Sequence, residues 1–128
     1  MDDKRILVVD DEEMIRDIYR QAFGGAGYQV TTAESAEEAL EAMKASPYLV
    51  LFLDLNLPGM NGVELCRRIR ADWPMAIPYA VTGYARLFEL HACREAGFED
   101  YFIKPAELSD LLDAAQHAFK KLARWKAR

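Results

Sequence analysis

The 128-residue sequence contains few cysteines and no long apolar run. Its two cysteines, Cys66 and Cys93, lack the spacing of a metal site and do not suggest a disulfide framework. No segment approaches the roughly 20 consecutive apolar residues of a transmembrane helix, so we expect no membrane insertion. The first five residues, MDDKR, lack the apolar core of a signal peptide. These absences favour a cytoplasmic protein.

Acidic residues outnumber basic ones, and the charge is unevenly distributed along the chain. The net charge is −5, and the last nine residues contain five cations and no acid: Lys120, Lys121, Arg124, Lys126 and Arg128. The first 119 residues therefore carry −10, and so acidic a body argues against nucleic acid as a direct partner. The basic end could contact phosphate, but cations at this position also stabilise the C-terminus of a helix through its dipole.

Strand-like and helix-like segments alternate five times along the chain. Short apolar runs predict strands at residues 6–9, 49–54, 77–81 and 100–103, and an alternating, β-rich segment predicts another at 28–32. Apolar residues at helical spacing follow each run, at residues 14–23, 36–43, 63–69, 87–96 and 108–122. This alternation predicts one α/β domain in which a parallel sheet has helices on both faces.

Two of these helices have apolar stripes that we expect to face the core. The first stripe consists of Met14, Ile15, Ile18, Tyr19, Ala22 and Phe23, and Gly24 and Gly25 should end that helix. The second consists of Leu108, Leu111, Leu112, Ala115, Phe119 and Leu122. Ser35 and Asn61, each followed three residues later by glutamate, have the pattern of helix N-caps.

Polar and charged side chains lie at the ends of four of the five predicted strands. They are Asp10 and Asp11 after the first strand, Asp54 at the end of the third, Thr82 after the fourth and Lys104 after the fifth. Because right-handed crossovers place the carboxyl ends of parallel strands along one edge, these side chains should converge there. Residues 55–62 are rich in turn formers, so we expect Asp54 at a loop mouth, facing solvent.

Three carboxylates at close range repel one another unless a cation lies among them. Mg²⁺ suits such a site because it prefers carboxylate oxygens and keeps positions for water and phosphate. A carboxylate beside Mg²⁺ can act as a nucleophile on phosphorus. Lys104, the Thr82 hydroxyl and backbone N–H groups could stabilise the oxygens of the transferred group. The combination predicts phosphoryl transfer onto Asp54.

Each of these residues, taken alone, also has an ordinary structural interpretation. Asp11 or Glu12 could simply cap the helix that follows them. Thr82 could be a turn residue, and Lys104 could lie on the surface. The joint occurrence of suitable groups at four strand ends favours a site.

Four segments resemble the receiver domain of two-component response regulators. They are residues 8–12 (VVDDE), 53–62 (LDLNLPGMNG), 81–83 (VTG) and 101–105 (YFIKP). The resemblance covers residues 4–122 and leaves 123–128 as a short basic tail. It implies a flavodoxin-like, doubly wound sheet of strand order 2-1-3-4-5 with five helices, and a cis bond between Lys104 and Pro105.

The resemblance also implies how the site works. Asp54 would accept a phosphoryl group from a phosphohistidine on a sensor histidine kinase or a histidine phosphotransfer protein. Asp11, Asp54 and the backbone carbonyl of Asn56 would bind Mg²⁺ directly. Asp10 would act on the metal through water, and Lys104 would pair with the phosphoryl group.

The same resemblance implies a switch. Thr82 would move toward the phosphoryl group and Tyr101 would move inward. The face formed by the fourth helix, the fifth strand and the fifth helix would then change its affinity for an unknown downstream protein. Asn56 and Tyr84 would modulate the site, and we expect the bulky Tyr84 to obstruct the attacking water and slow loss of the phosphoryl group.

The protein implied is a signalling module rather than an enzyme, and two alternatives stay open. A Mg²⁺-dependent phosphohydrolase could use Asp54 as its nucleophile, but such enzymes place a second aspartate where this chain has Asn56. A receiver-like scaffold could work without phosphorylation, although no essential side chain is missing.

Overall fold

The predicted alternation of strands and helices is confirmed by the computed structural model, which describes residues 4–83 and 87–127. The strands are β1 (Arg5–Val9), β2 (Gln29–Ala33), β3 (Val50–Asp54), β4 (Ile77–Thr82) and β5 (Asp100–Ile103). The helices are α1 (Glu13–Gly25), α2 (Ala36–Ala45), α3 (Gly62–Asp72), α4 (Leu87–Ala96) and α5 (Leu108–Lys126). The first four residues of the predicted basic tail are therefore helical. None of the described helices is long and apolar enough to cross a membrane.

The five strands form one parallel sheet of order β2-β1-β3-β4-β5, which confirms the predicted fold class. The strand order reverses between β1 and β3, the position at which open α/β sheets collect ligands. Val9 of β1 pairs with Leu53 of β3, so the residues that follow them lie side by side. Asp54 pairs in turn with Val81 of β4, and Thr82 pairs with Ile103 of β5.

The sheet separates two apolar cores because successive side chains of each buried strand point to opposite faces. On one face, α2, α3 and α4 contribute Ala36, Ala39, Met43, Leu65, Cys66, Ile69 and Cys93 to the first core. On the other face, α1 and α5 contribute Tyr19, Phe23, Leu111, Ala114, Ala115, Ala118 and Leu122 to the second. All five residues of β3 are buried, as expected for a central parallel strand covered on both sides.

The predicted apolar stripes are partly wrong. In α1, Met14 is 72% exposed and Ile18 is 40% exposed, because burial is confined to the side that carries Tyr19 and Phe23. In α5, Leu108 is 39% exposed, and the buried stripe passes through Ala114 and Ala118 instead. Helical spacing indicates the direction of a stripe, but its width depends on how much of the helix the sheet covers.

The predicted helix ends agree with the structure better than the predicted stripes do. The side chains of Ser35 and Asn61 accept hydrogen bonds from the backbone N–H groups of Glu38 and Glu64, which confirms both N-caps. α1 ends at Gly25, which confirms the predicted end of this helix. The chain turns at Gly27, whose φ of +96° is readily adopted only by glycine.

Candidate functional site

The sheet brings the predicted side chains together at its carboxyl edge, the edge at which all five strands end. The Lys104 ammonium donates a hydrogen bond of 2.9 Å to Oδ2 of Asp10. The same nitrogen lies 3.4 Å from Oδ2 of Asp54. Lys104 thus bridges the ends of β1 and β3 from the loop after β5, and the convergence expected from the strand pattern is present.

The prediction that Asp54 faces solvent is wrong, since this residue is only 4% exposed. In the loop after β3, Leu55 and Leu57 are buried in the core. The N–H of Gly62 closes this loop by donating a 3.0 Å hydrogen bond to the carbonyl of Leu55. A turn-rich sequence therefore marks the loop correctly but does not reveal that Asp54 is buried.

Burial raises the pKa of Asp54 above its usual value, and the neighbouring charge of Asp10 adds to this effect. The N–H of Asn56, which donates to Asp54 Oδ1 at 3.2 Å, and the Lys104 ammonium oppose it. Burial lowers the pKa of Lys104, whereas the hydrogen bond to Asp10 and the charges of Asp54 and Asp10 raise it. Together the raising effects are larger, so the pKa of Lys104 lies above its usual value. The Lys104 ammonium does not fully offset the cost of burying the ionised Asp54. A further positive charge nearby would therefore stabilise this carboxylate.

The acidic segment 10–12 provides oxygen ligands for such a charge. Carboxylate oxygens of Asp10, Asp11 and Glu12 lie within 4.8 Å of one another. Asp10 is buried, whereas Asp11 and Glu12 are exposed beside it. A set of carboxylate oxygens is what Mg²⁺ prefers, so the residues present fit this ion. The sequence pattern did not identify Glu12 as part of this group.

A purely structural role as a helix cap is not observed for Glu12. It occupies the N-cap position of α1, yet its side chain makes no capping hydrogen bond. The local turn is held by Asp10 instead, whose Oδ1 accepts a 2.9 Å hydrogen bond from the N–H of Glu12.

Gly62 is a requirement of the site that the sequence pattern did not reveal. A Cβ atom at this position would lie 2.1 Å from the carbonyl oxygen of Asp54 and 2.8 Å from Cα of Leu55. Only glycine lets the start of α3 approach the end of β3 this closely. This contact fixes the backbone that carries Asp54.

The two residues of the predicted switch lie in different environments. Thr82 is 1% exposed and lines a cleft of about 300 Å³ together with Asn56 and Glu89. Tyr101 is 40% exposed and lines a second cleft of about 480 Å³ between α4 and β5, together with His91. The predicted modulator Tyr84 lies outside the described residues. The Lys104–Pro105 peptide bond is cis, as the resemblance implies.

Comparison with known sequences identifies the same family as the sequence motifs. The family model described as "Response regulator receiver domain" matches residues 6–116. The chain is 33% identical over 121 residues to the hydrogenase transcriptional regulatory protein HoxA of Cupriavidus necator, covering 92% of this chain and 25% of HoxA. It is 36% identical over 111 residues to the response regulator MprA of Mycobacterium ulcerans, covering 84% of this chain and 47% of MprA. The chain thus spans less than half the length of these curated relatives.

Comparison with solved structures identifies the same fold family. The receiver domain protein (CheY-like) of Methanospirillum hungatei JF-1 superposes with a TM-score of 0.91 at 32% identity. That superposition covers 94% of this chain and 97% of the other.

Proposed function

This chain belongs to the response regulator receiver domain family, and we propose that it acts as a phosphoacceptor through Asp54 in a two-component phosphorelay. The observation that carries this proposal is the position of Lys104, whose ammonium lies 2.9 Å from Asp10 and 3.4 Å from Asp54 at the carboxyl edge. A carboxylate buried next to a fixed cation is well placed to hold a group that carries several negative oxygens.

In the proposed reaction, an oxygen of Asp54 forms a bond to phosphorus while the P–N bond of a phosphohistidine breaks. The imidazole leaves with the electron pair of that bond and takes up a proton, and an acyl phosphate remains on Asp54. The Lys104 ammonium and the Thr82 hydroxyl stabilise the phosphoryl oxygens. These roles make Asp54, Lys104 and Thr82 the reactive group of residues.

We assign the metal site to Asp11, Asp54 and the backbone carbonyl of Asn56, with Asp10 acting through water. The oxygen donors of the acidic segment and the uncompensated charge of Asp54 support this assignment. When bound, Mg²⁺ supplies positive charge that offsets repulsion between the carboxylates and the incoming phosphate. Glu12 stands close enough to Asp10 and Asp11 to contribute to the same acidic surface.

The donor is proposed to dock on the exposed apolar side chains of α1. Met14 is 72% exposed and Ile18 is 40% exposed, one helical turn apart and immediately after the acidic segment. A contiguous exposed apolar patch, especially one rimmed by polar residues, is typical of a protein-binding surface. Because a phosphohistidine must reach Asp54, we assign this surface to the sensor histidine kinase or histidine phosphotransfer protein.

Phosphorylation is proposed to change the face formed by α4, β5 and α5. A phosphoryl group at Asp54 adds charge and acceptor oxygens that draw the Thr82 hydroxyl toward them. Tyr101, now 40% exposed beside the 480 Å³ cleft, then moves into the space that Thr82 leaves. A downstream protein reads the change at this face, so the domain works as a switch rather than as an enzyme with a released product.

Incubation with acetyl phosphate and Mg²⁺, followed by intact-protein mass spectrometry, tests the proposal. We expect a gain of one phosphoryl group that is absent without Mg²⁺ and absent in Asp54→Asn. Rapid turnover of p-nitrophenyl phosphate would indicate a phosphohydrolase instead. No mass gain under any condition would indicate a scaffold that is not phosphorylated, and either result would overturn the proposal.

A further inference from the structure

Arg16 lies beneath the acidic segment and binds its backbone. The guanidinium donates a 2.9 Å hydrogen bond from Nη1 to the carbonyl oxygen of Asp10. Its Nη2 lies 3.8 Å from Oε2 of Glu34, the residue that directly follows β2. The Arg16 side chain is only 15% exposed, so this arginine is held in place rather than extended into solvent.

The bond to Asp10 completes a set of contacts around one residue. The N–H of Asp10 donates to the carbonyl of Ala33 at 3.1 Å, its Oδ1 accepts from the N–H of Glu12, and its Oδ2 accepts from Lys104. Arg16 donates to the carbonyl oxygen of Asp10. Every polar atom of Asp10 therefore has a partner, and the backbone at the end of β1 is fixed from four directions.

The carbonyl of Asp10 belongs to the same planar peptide unit as the N–H of Asp11. Fixing the oxygen of that unit fixes its plane, and the plane sets the direction in which the chain enters Asp11. Asp11 itself is exposed, so its orientation depends on this backbone more than on packing. We infer that Arg16 is a positioning residue that orients Asp11 for binding Mg²⁺, and this inference rests on the proposed function.

The charge of Arg16 and its role in orienting Asp11 predict opposite changes in Mg²⁺ affinity when this arginine is removed. A cation next to an acidic site repels Mg²⁺, so its removal should strengthen Mg²⁺ binding if charge alone matters. If Arg16 orients Asp11, its removal should weaken binding despite the lost repulsion. Loss of an outer contact that orients a metal ligand typically lowers metal affinity about 10- to 100-fold.

The experiment compares Mg²⁺ dissociation constants of the wild-type chain, Arg16→Met, Arg16→Lys and Arg20→Met. Arg20 is the matched control, since it lies one turn further along α1 and binds Asp17 and Thr32 rather than the acidic segment. We expect Arg16→Met to weaken Mg²⁺ binding about tenfold, and Arg16→Lys, which keeps the charge but loses the planar fork, to fall between it and the wild type. Arg20→Met should stay within about twofold of the wild type.

A second readout needs no metal. In the metal-free protein, ¹⁵N relaxation should show greater mobility of the Asp11 amide in Arg16→Met than in Arg20→Met. If Arg16→Met does not fold, the comparison of Arg16→Lys with the wild type decides in the same way.

Unchanged or tighter Mg²⁺ binding in a folded Arg16 variant would overturn this inference while leaving the proposed function intact. A wild-type chain that does not bind Mg²⁺ at all would instead overturn the proposed function, and this inference with it.

Discussion

The Lys104 ammonium donates a hydrogen bond of 2.9 Å to Asp10, a residue 94 positions earlier in the chain. The contact exists because β1 and β5, although separated by two other strands, end at the same edge of a parallel sheet. Lys104 also lies 3.4 Å from Asp54, so one cation stands between two buried carboxylates.

Replacement of Lys104 by methionine should destabilise the metal-free protein. Asp10 and Asp54 lose a charged hydrogen-bond donor, and removal of such a partner costs about 1–3 kcal/mol. Urea denaturation without Mg²⁺ measures the free energy of unfolding, and Lys104→Arg, which keeps the charge, should lose less. Mg²⁺ should raise the stability of Lys104→Met more than that of the wild type, and no gain in either protein would argue against the metal site.

Asp54→Asn should be more stable than the wild type at pH 7 without Mg²⁺. Burial raises the pKa of Asp54 above the model-peptide value of 3.8, so the folded state binds the proton more tightly than the unfolded state does. The ionised form therefore carries a cost above the folded pKa, and this cost disappears as the pH falls below 3.8.

The stability advantage of Asp54→Asn should accordingly shrink from pH 7 toward pH 3, as measured by thermal midpoints. Asp113→Asn, at an exposed position of α5, is the control and should show little difference across this range. A wild type more stable than Asp54→Asn at pH 7 would show that the ion pair with Lys104 outweighs burial.

Met14→Glu and Ile18→Glu should slow phosphotransfer from a histidine-phosphorylated donor protein by about tenfold or more, as expected when apolar contacts at the centre of an interface are lost. Phosphorylation by acetyl phosphate, which needs no docking surface, should be nearly unchanged. Met75→Glu is the control, because Met75 is 44% exposed but precedes β4 at the opposite edge of the sheet. Equal loss with both donors would place the effect in the site itself.

Gly62→Ala should destabilise the protein by about 1–3 kcal/mol or more, since its Cβ would lie 2.1 Å from the backbone oxygen of Asp54. Gly25→Ala is the matched control, because a Cβ there meets nothing within 4 Å and the residue is helical. We expect the control to be neutral or up to about 1 kcal/mol more stable. Chemical denaturation measures both, and a neutral Gly62→Ala would mean that the contact relaxes without cost.

Much of the fold follows from the sequence because buried parallel strands and amphipathic helices have different periodicities. The convergence of functional side chains was also predictable. Asp10, Asp54, Thr82 and Lys104 lie at the ends of parallel strands, and parallel strands end at the same edge of the sheet. No tertiary information was needed beyond the handedness of the crossovers.

The errors have a different origin. The exposure of Met14 and Leu108 depends on how wide a stripe of α1 and α5 is buried, and helical periodicity contains no such information. The burial of Asp54 arises from tertiary packing at the end of β3, which turn-forming residues do not indicate. Arg16 was missed because its partner is a backbone carbonyl, which leaves no pattern of residue types. Gly62 was missed because the need for glycine arises from the distance between α3 and β3.

The most direct test of the account locates the phosphoryl group. The protein is incubated with acetyl phosphate and Mg²⁺, and borohydride then reduces an aspartyl phosphate to homoserine, which peptide mass mapping identifies. We predict homoserine at position 54 alone, only in samples that contain both the donor and Mg²⁺. An unmodified Asp54, or reduction at Asp10 or Asp11 instead, would contradict the account.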